Sequence, residues 1–228
     1  MAQPATPAAL SGDGLRDRLA ILGTRDYGPY FLGNVLSNAG TWFQALAQGI
    51  LVYRLTGSAL LLGVVGFSQF ISVLVLAPWT GAAADRFDRR LLMLWMQVIQ
   101  FALVSLLAAL AWTGHATAWI VIVLALLTGI ATAFSVPAMQ TLAPLLVRPD
   151  QVRHAVALTS VMMNASRVIG PSLGALVIEG LGIPWAFGLN AGSYLVLIAA
   201  LVIVRPRPQP PRPAVRVRMR DTIRELRA

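Results

Sequence analysis

Six long apolar stretches, separated by short polar segments, dominate this sequence. A helix needs about 20 apolar residues to cross a bilayer, and the stretches reach that length. Charged residues make up only 12% of the chain, whereas about 25% of the residues in a soluble domain are charged. The sequence therefore predicts an all-α membrane protein with six transmembrane helices, over 29–53, 59–83, 91–112, 118–140, 155–178 and 184–204.

Three regions follow from these spans. Residues 27–204 form the predicted six-helix transmembrane bundle. Residues 1–26 are polar and contain proline and glycine, which predicts a flexible cytoplasmic leader. Residues 205–228 are rich in proline and arginine, which predicts an extended cytoplasmic tail at the start of a linker. The first span is not a signal peptide, because it begins late and is followed by Arg54 rather than by a small-residue cleavage site.

The basic residues predict how the spans are oriented. All 18 are arginines, and all but Arg54 and the intramembrane Arg167 lie on the side of the two termini. Cytoplasmic loops are enriched in basic residues, so both termini are predicted to be cytoplasmic, in the inner membrane of a bacterium. The net charge of +9 is therefore expected to meet the headgroups of the lipid bilayer, and no nucleic-acid partner is predicted.

The short charged loop between spans 2 and 3 carries the most specific motif. Its order, Gly-x-x-x-Asp-Arg-x-x-Arg-Arg, resembles the loop between helices 2 and 3 of the major facilitator superfamily (MFS) of secondary transporters. The resemblance implies a conformational latch, and the alternative is a plain basic loop on the cytoplasmic side. The latch residues are Gly81, Asp85, Arg86, Arg89 and Arg90.

Two positions of this loop lead to structural expectations. A glycine at position 81 allows a neighbouring helix to approach closely. Asp88 stands where the superfamily usually has glycine, so the turn is expected to differ, although aspartate tolerates unusual backbone angles.

Span 5 contains a proline between two glycines. Pro171 removes a backbone donor and bends or loosens the helix, and Gly170 and Gly174 have the spacing that permits close helix packing. The group resembles the fifth-helix motif of MFS exporters. Two interpretations stay open, a hinge for alternating access and a kink that only improves packing.

Arg167 is the basic residue inside a span. An arginine at the bilayer centre costs about 2.5–3.5 kcal/mol on insertion scales, so Arg167 is expected to face the bundle interior or a wet cavity. The alternative is that span 5 begins deeper and that Arg167 reaches the cytoplasmic surface.

Polar residues recur along span 1 at spacings of three and four, so they share one helix face. We interpret this face as the lining of a central cavity, and the alternative is hydrogen bonding between helices. With Arg167, the candidate cavity residues are Asn34, Asn38, Thr41, Gln44 and Gln48, and Ser37 lies on the same face.

The wider resemblance is to the bacterial export branch of the MFS that includes siderophore and macrolide exporters. It rests also on 31–42, 137–147 and 187–194. It implies two three-helix repeats, a small-molecule substrate, and export driven by the proton gradient without ATP, cofactor or enzymatic chemistry. Span 1 contains no acid and span 4 no charge, so proton coupling rests on the resemblance alone.

The full MFS fold has two six-helix halves, and this chain has one. The chain is therefore expected to be the N-terminal half of an exporter that pairs with a second half, either a separate chain or a second copy. The alternative is a six-helix membrane protein that does not transport, as a truncated remnant or an assembly partner.

Overall fold

The computed structural model describes residues 20–207. Most of the predicted leader and tail lies outside this range. Within it, each predicted span coincides with a long helix to within a few residues. The helices are α1 Tyr27–Thr56, α2 Ala59–Arg86, α3 Arg89–Trp112, α4 Ala118–Leu142, α5 Val152–Gly180 and α6 Ile183–Ile203.

Five of these helices, α2 to α6, are long and apolar enough to cross a membrane, judged by length and composition. The remaining helix, α1, is 30 residues long, which is ample, but its polar side chains lower its mean hydropathy. The protein is thus a multi-pass membrane protein.

Short polar side chains define where several helices begin. The Ser58 hydroxyl accepts from the Leu61 amide at the start of α2, and the Asp88 carboxylate accepts from the Leu91 amide at 2.8 Å at the start of α3. Asp88 has φ −59° and ψ 119°, so the turn needs no unusual backbone angle at this position. The aspartate instead caps α3, where a carboxylate also suits the positive end of the helix dipole.

Glycines set the closest helix contacts. A Cβ added at Gly170 would lie 2.7 Å from the Ala39 carbonyl oxygen, and one added at Gly174 would collide with Phe43. Gly170 and Gly174 of α5 meet Ala39 and Phe43 of α1 in the same order along each helix, so α5 and α1 run parallel where they cross. In the same way, a Cβ at Gly129 of α4 would lie 2.7 Å from the Gln69 carbonyl oxygen of α2.

α1 lies at the centre of the packing. It contacts α5 and α6, while α4 contacts α2 and α3, and α3 contacts α6. Added Cβ atoms at Gly33 and Gly40 would meet Leu197 and Asn190 respectively, so α1 and α6 run antiparallel.

One end of the bundle gathers the beginning of α1, the α2–α3 loop, the α4–α5 segment and the residues after α6. The Tyr27 hydroxyl donates to the Ala155 carbonyl oxygen at 3.2 Å, and the Arg205 amide donates to the Asp26 carboxylate at 3.2 Å. The Arg207 amide donates to the Leu145 carbonyl oxygen. The described ends of the chain therefore lie on the same side of the bundle as its basic loops.

Candidate functional site

Several of the polar residues of α1 are used in contacts between helices. The Thr41 hydroxyl lies 3.1 Å from that of Tyr194, and Asn190 donates to the Gln44 side chain. The Gln69 amide donates to Gln48 at 2.5 Å. Gln44 and Gln48 are buried, so they connect α1 to α6 and α2 instead of facing an open cavity.

A small polar cavity of about 60 Å³ lies between α1, α3 and α4, and Asn34, Asn38 and Thr41 are among its lining residues. The Asn34 Oδ1 and Gln97 Oε1 atoms are buried and have no hydrogen-bond partner among the described residues. A polar space of this size is large enough to hold water, which would satisfy both oxygens.

A group of exposed polar residues lies on α5. Ser160, Asn164 and Arg167 are exposed and follow one another at spacings of four and three, so they form one face of the helix. We call these three residues the α5 polar face. The Ser160 and Asn164 donors bond to carbonyl oxygens one turn earlier in α5. A charged side chain such as Arg167 is costly against hydrocarbon, so we expect this face to meet water or a polar partner.

Arg167 lies over a tryptophan of the neighbouring helix. Its guanidinium carbon is 5.3 Å from the centre of the Trp42 ring, which is the geometry of a cation–π interaction. Trp42 is the fifteenth residue after Tyr27, and Arg167 the fifteenth after Val152. Because α1 and α5 run parallel, both residues lie about 22 Å from the start of their helix, near its middle. The guanidinium therefore stays at mid-helix depth in this structure.

Two further features extend this surface. The Asn38 amide, one turn before Trp42, points to the Met139 sulfur of α4 at 3.8 Å. A cavity of about 250 Å³ lies between α4 and α5, lined by Gln140, Ser160 and apolar residues that include Val156 and Met163. Ser160 belongs both to the α5 polar face and to the lining of this cavity. We call the α5 polar face, Trp42 and this cavity the open site.

The predicted latch residues lie at the basic end of the bundle. Arg89 is nearly buried, and its Nε donates to the Ala84 carbonyl oxygen at 3.4 Å. Arg90 donates to the carbonyl oxygens of Leu201 at 2.5 Å and Val202 at 2.7 Å, which are among the last of α6. A cavity of about 390 Å³ lies beside these arginines. Arg90 thus connects the α2–α3 loop to the end of α6.

The other latch positions have different surroundings. A Cβ at Gly81 would meet no atom within 4 Å among the described residues, so no helix of this part of the chain uses that glycine for close approach. Arg86 is exposed. The backbone of Asp85 lies in the last turn of α2, and its side chain lies outside what the structure describes.

The glycine–proline group of α5 lies within a continuous helix. α5 extends from Val152 to Gly180 with Pro171 inside it. Gly170 and Gly174 pack on α1, which is the contact that the packing interpretation predicts. The hinge stays a prediction.

The family is decided by similarity to known proteins. Residues 19–226 match the family described as transmembrane secretion effector. The chain belongs to this MFS family. The staphyloferrin A transporter of Staphylococcus aureus is 26% identical over 170 residues, which cover 74% of this chain and 43% of that protein. Macrolide efflux protein A of Streptococcus pyogenes is 29% identical over 136 residues, which cover 58% of this chain and 34% of that protein.

A third relative of this MFS chain is the uncharacterized MFS-type transporter YfiS of Bacillus subtilis, which is 28% identical over 160 residues, or 70% of this chain and 37% of that protein. The chain spans less than half the length of these curated relatives. The relatives are membrane transporters and not enzymes, in agreement with the superfamily that the loop motif predicted.

Trp42 is the site residue that the sequence analysis missed as an interaction partner of Arg167. It adjoins the polar residues of span 1 but is itself amphipathic. Trp42 and Arg167 each lie fifteen residues after the start of their helix, and this equal distance would have suggested the pairing. That comparison requires knowing that α1 and α5 are parallel neighbours.

Proposed function

We propose that this chain is the N-terminal six-helix half of a secondary-active MFS exporter, which uses the proton gradient to expel amphipathic small molecules of the drug or siderophore class from the cytoplasm. The observation that carries the proposal is the exposed Arg167 at mid-helix depth. A charged side chain in that position is costly against lipid and is typical of a substrate pathway. The names of the relatives, which include a siderophore transporter and a macrolide efflux protein, favour the same class of substrate.

A second half would cover surfaces that this chain leaves open. α2 buries only a narrow stripe against α4, and 17% of its most apolar segment is buried. Gly81 also lies on an exposed surface where a further helix can approach. The matched share of the relatives, between 34% and 43% of their length, fits one of two halves.

The packing pattern supports two three-helix repeats within this half. If α1, α2 and α3 are exchanged with α4, α5 and α6, the contact of α1 with α5 becomes that of α4 with α2. The contact of α1 with α6 becomes that of α4 with α3, and the contact of α3 with α6 is unchanged. Internal repeats of this kind are common in secondary transporters.

The coupling proton requires a titratable group at the depth of the site. The acidic residues of the described range lie at or beyond helix ends, namely Asp26, Asp85, Asp88, Asp150 and Glu179. The proposal therefore places the proton-carrying carboxylate in the second half. No ATP and no cofactor enter the proposed mechanism.

Efflux measurements test this function. Cells loaded with a radiolabelled macrolide or with a labelled citrate-type siderophore would express either this chain alone or this chain together with a second six-helix half. We expect efflux only when both halves are present, and we expect a protonophore to abolish it. Equal membrane amounts of the chain, measured through an epitope tag, are the control.

Three outcomes would separate the parts of the proposal. Strong gradient-dependent efflux by the chain alone as a monomer would refute its assignment as a half. Absence of efflux of either compound by the two halves together would refute the exporter. A protonophore-insensitive efflux would refute proton coupling and leave the other two parts in place.

A further inference from the structure

The charge of Arg167 has no neutralising partner at its own depth among the described residues. Glu179, the acid that follows it in α5, is twelve residues away, which is about 18 Å along the helix. Asp150, before the start of α5, lies seventeen residues away and is paired with Arg148. The open site therefore presents a single positive charge surrounded by uncharged polar and apolar groups.

The guanidinium is held, but its donors stay available. The guanidinium carbon lies over the Trp42 ring, 5.3 Å from the ring centre. A guanidinium has five N–H donors, and a cation–π contact with a single ring leaves N–H groups available for other acceptors. No acceptor in the described part of the chain takes a hydrogen bond from Arg167, although Asn164 and Ser160 of the same face are each bonded within α5.

The shape of the open site is amphipathic. Met163 lies one turn from Arg167 toward the basic end of the bundle, and Val156 lies about three turns away in the same direction. Both line the cavity of about 250 Å³ together with Gln140 and Ser160. A molecule with its charged group at Arg167 would lay its apolar body against Trp42 and into this cavity. A planar guanidinium matches a carboxylate with two parallel hydrogen bonds, whereas an organic cation in the same place would be repelled.

We propose that Arg167 and Trp42 bind the carboxylate group of an amphipathic anionic substrate, so that this site selects anions over cations of the same size. The inference rests on the proposed export function and adds the charge of the substrate to it. Arg167 supplies the two-pronged hydrogen bond, and Trp42 fixes the guanidinium and contacts the apolar body of the anion.

The test measures equilibrium binding of probes to the 228-residue chain in nanodiscs. Binding of the same probes to empty nanodiscs is subtracted. The radiolabelled probes are 2-naphthylacetate, 2-naphthylethanol and 2-naphthylethylammonium, which share one ring system and differ in charge. We expect 2-naphthylacetate to bind at least tenfold more tightly than the other two probes. Arg167→Gln should weaken binding of 2-naphthylacetate at least tenfold and change binding of 2-naphthylethanol less than twofold.

Matched variants identify the cause of the loss. Arg167→Lys keeps the positive charge but removes the planar group that donates two parallel hydrogen bonds, so it should retain only part of the affinity for the anion. Trp42→Phe should retain more affinity than Trp42→Ala. Arg153→Gln removes an exposed arginine from the same helix, near its start, and should leave all three affinities unchanged.

Unchanged binding of 2-naphthylethanol by Arg167→Gln shows that the variant is folded. Equal affinities of the wild-type protein for the three probes, no binding of any of them, or an equal loss for all three in Arg167→Gln would overturn the proposal. An equal loss would indicate that Arg167 stabilises the bundle instead of recognising the carboxylate. Because binding is measured without a gradient, it fails or succeeds independently of the efflux experiment above.

Discussion

At the scale of single residues, the interior of the bundle depends on uncharged amide pairs. Asn190 is fully buried in α6 and donates to Gln44 of α1, which is also buried. Ser193 donates to the Asn190 oxygen at 2.9 Å. Hydrogen bonds between membrane helices contribute about 0.6 kcal/mol each on average. Loss of one partner costs more, because a buried amide is then left without a hydrogen bond.

Asn190→Leu is therefore expected to lower the free energy of unfolding by about 1–3 kcal/mol. Thermal unfolding in detergent, followed by tryptophan fluorescence, measures this change. Gln44→Leu combined with Asn190→Leu should recover part of the loss, because both polar groups are then removed. Asn164→Leu on the exposed face of α5 is the matched control and should change stability by less than about 0.5 kcal/mol. Equal losses in the control and in Asn190→Leu would show that the buried pair does not stabilise the contact.

The same residues show how far the sequence can be interpreted. The spacing of the polar residues in α1 predicted that they share one helix face and need partners. It did not distinguish a cavity lining from contacts between helices, because Gln44 and Gln48 have their partners in α6 and α2. Those partners depend on which helices are neighbours, and this is a property of the fold and not of the local pattern. Whether Arg167, Asn38 and Thr41 bind substrate stays a prediction.

At the scale of helices, small residues set the distances between axes. Gly129 of α4 lies against the backbone of α2, where an added Cβ would come within 2.9 Å of the Gln69 Cα. A backbone cannot move aside as the end of a flexible side chain can. Periodicity alone did not single out Gly129, whereas Gly170 and Gly174 were recognised by their spacing around a proline.

Gly129→Ala is expected to push α4 away from α2 and to destabilise the bundle by about 1–3 kcal/mol. Gly66→Ala in α2 is the matched control, since a Cβ there meets no described atom within 4 Å and alanine favours the helix. Thermal unfolding of the two variants under identical conditions measures the difference in their stability. If the two glycines tolerate alanine equally well, the close contact between α2 and α4 is not a constraint on stability.

Arg90 connects two helix ends that are far apart in sequence. Its Nε and Nη2 atoms donate to carbonyl oxygens in the last turn of α6, where a cation also suits the negative end of the helix dipole. Hydrogen bonds to charged groups contribute about 1.5–3 kcal/mol. Arg90 of the predicted latch loop thus stabilises the end of α6 in this structure.

Arg90→Ala is expected to loosen the end of α6, so that amide hydrogen exchange over 200–204 becomes about tenfold faster, which corresponds to about 1.4 kcal/mol. Hydrogen–deuterium exchange with mass spectrometry measures this region directly. Arg86→Ala removes an exposed arginine near the same loop and should leave the exchange unchanged. The same acceleration in both variants would mean that general loss of positive charge, rather than the contact of Arg90, is responsible.

At the scale of the whole molecule, the contacts between helices divide the bundle into a basic end and an aromatic end. The basic end contains Arg89 and Arg90 and the segment after α6. At the other end, Trp112 and Trp185 meet edge to face with ring centres 5.3 Å apart. Basic loops are retained in the cytoplasm, and tryptophans concentrate at membrane interfaces. The contacts of the fold and the distribution of arginines therefore lead to the same predicted topology, with both termini in the cytoplasm.

Because the sequence has no cysteine, single introduced thiols test this topology without background. Thr56→Cys, at the end of α1 beside Arg54, is expected to react with a membrane-impermeant maleimide in intact cells. Asp150→Cys, between α4 and α5, is expected to react only after the membrane is permeabilised, because the loop that contains Arg148 and Arg153 stays inside. Both positions are exposed, so a difference in labelling reports the side of the membrane and not burial. Labelling of Asp150→Cys but not of Thr56→Cys in intact cells would show that the orientation is opposite to the predicted one. It would also place the Arg167 site on a pathway entered from the opposite side.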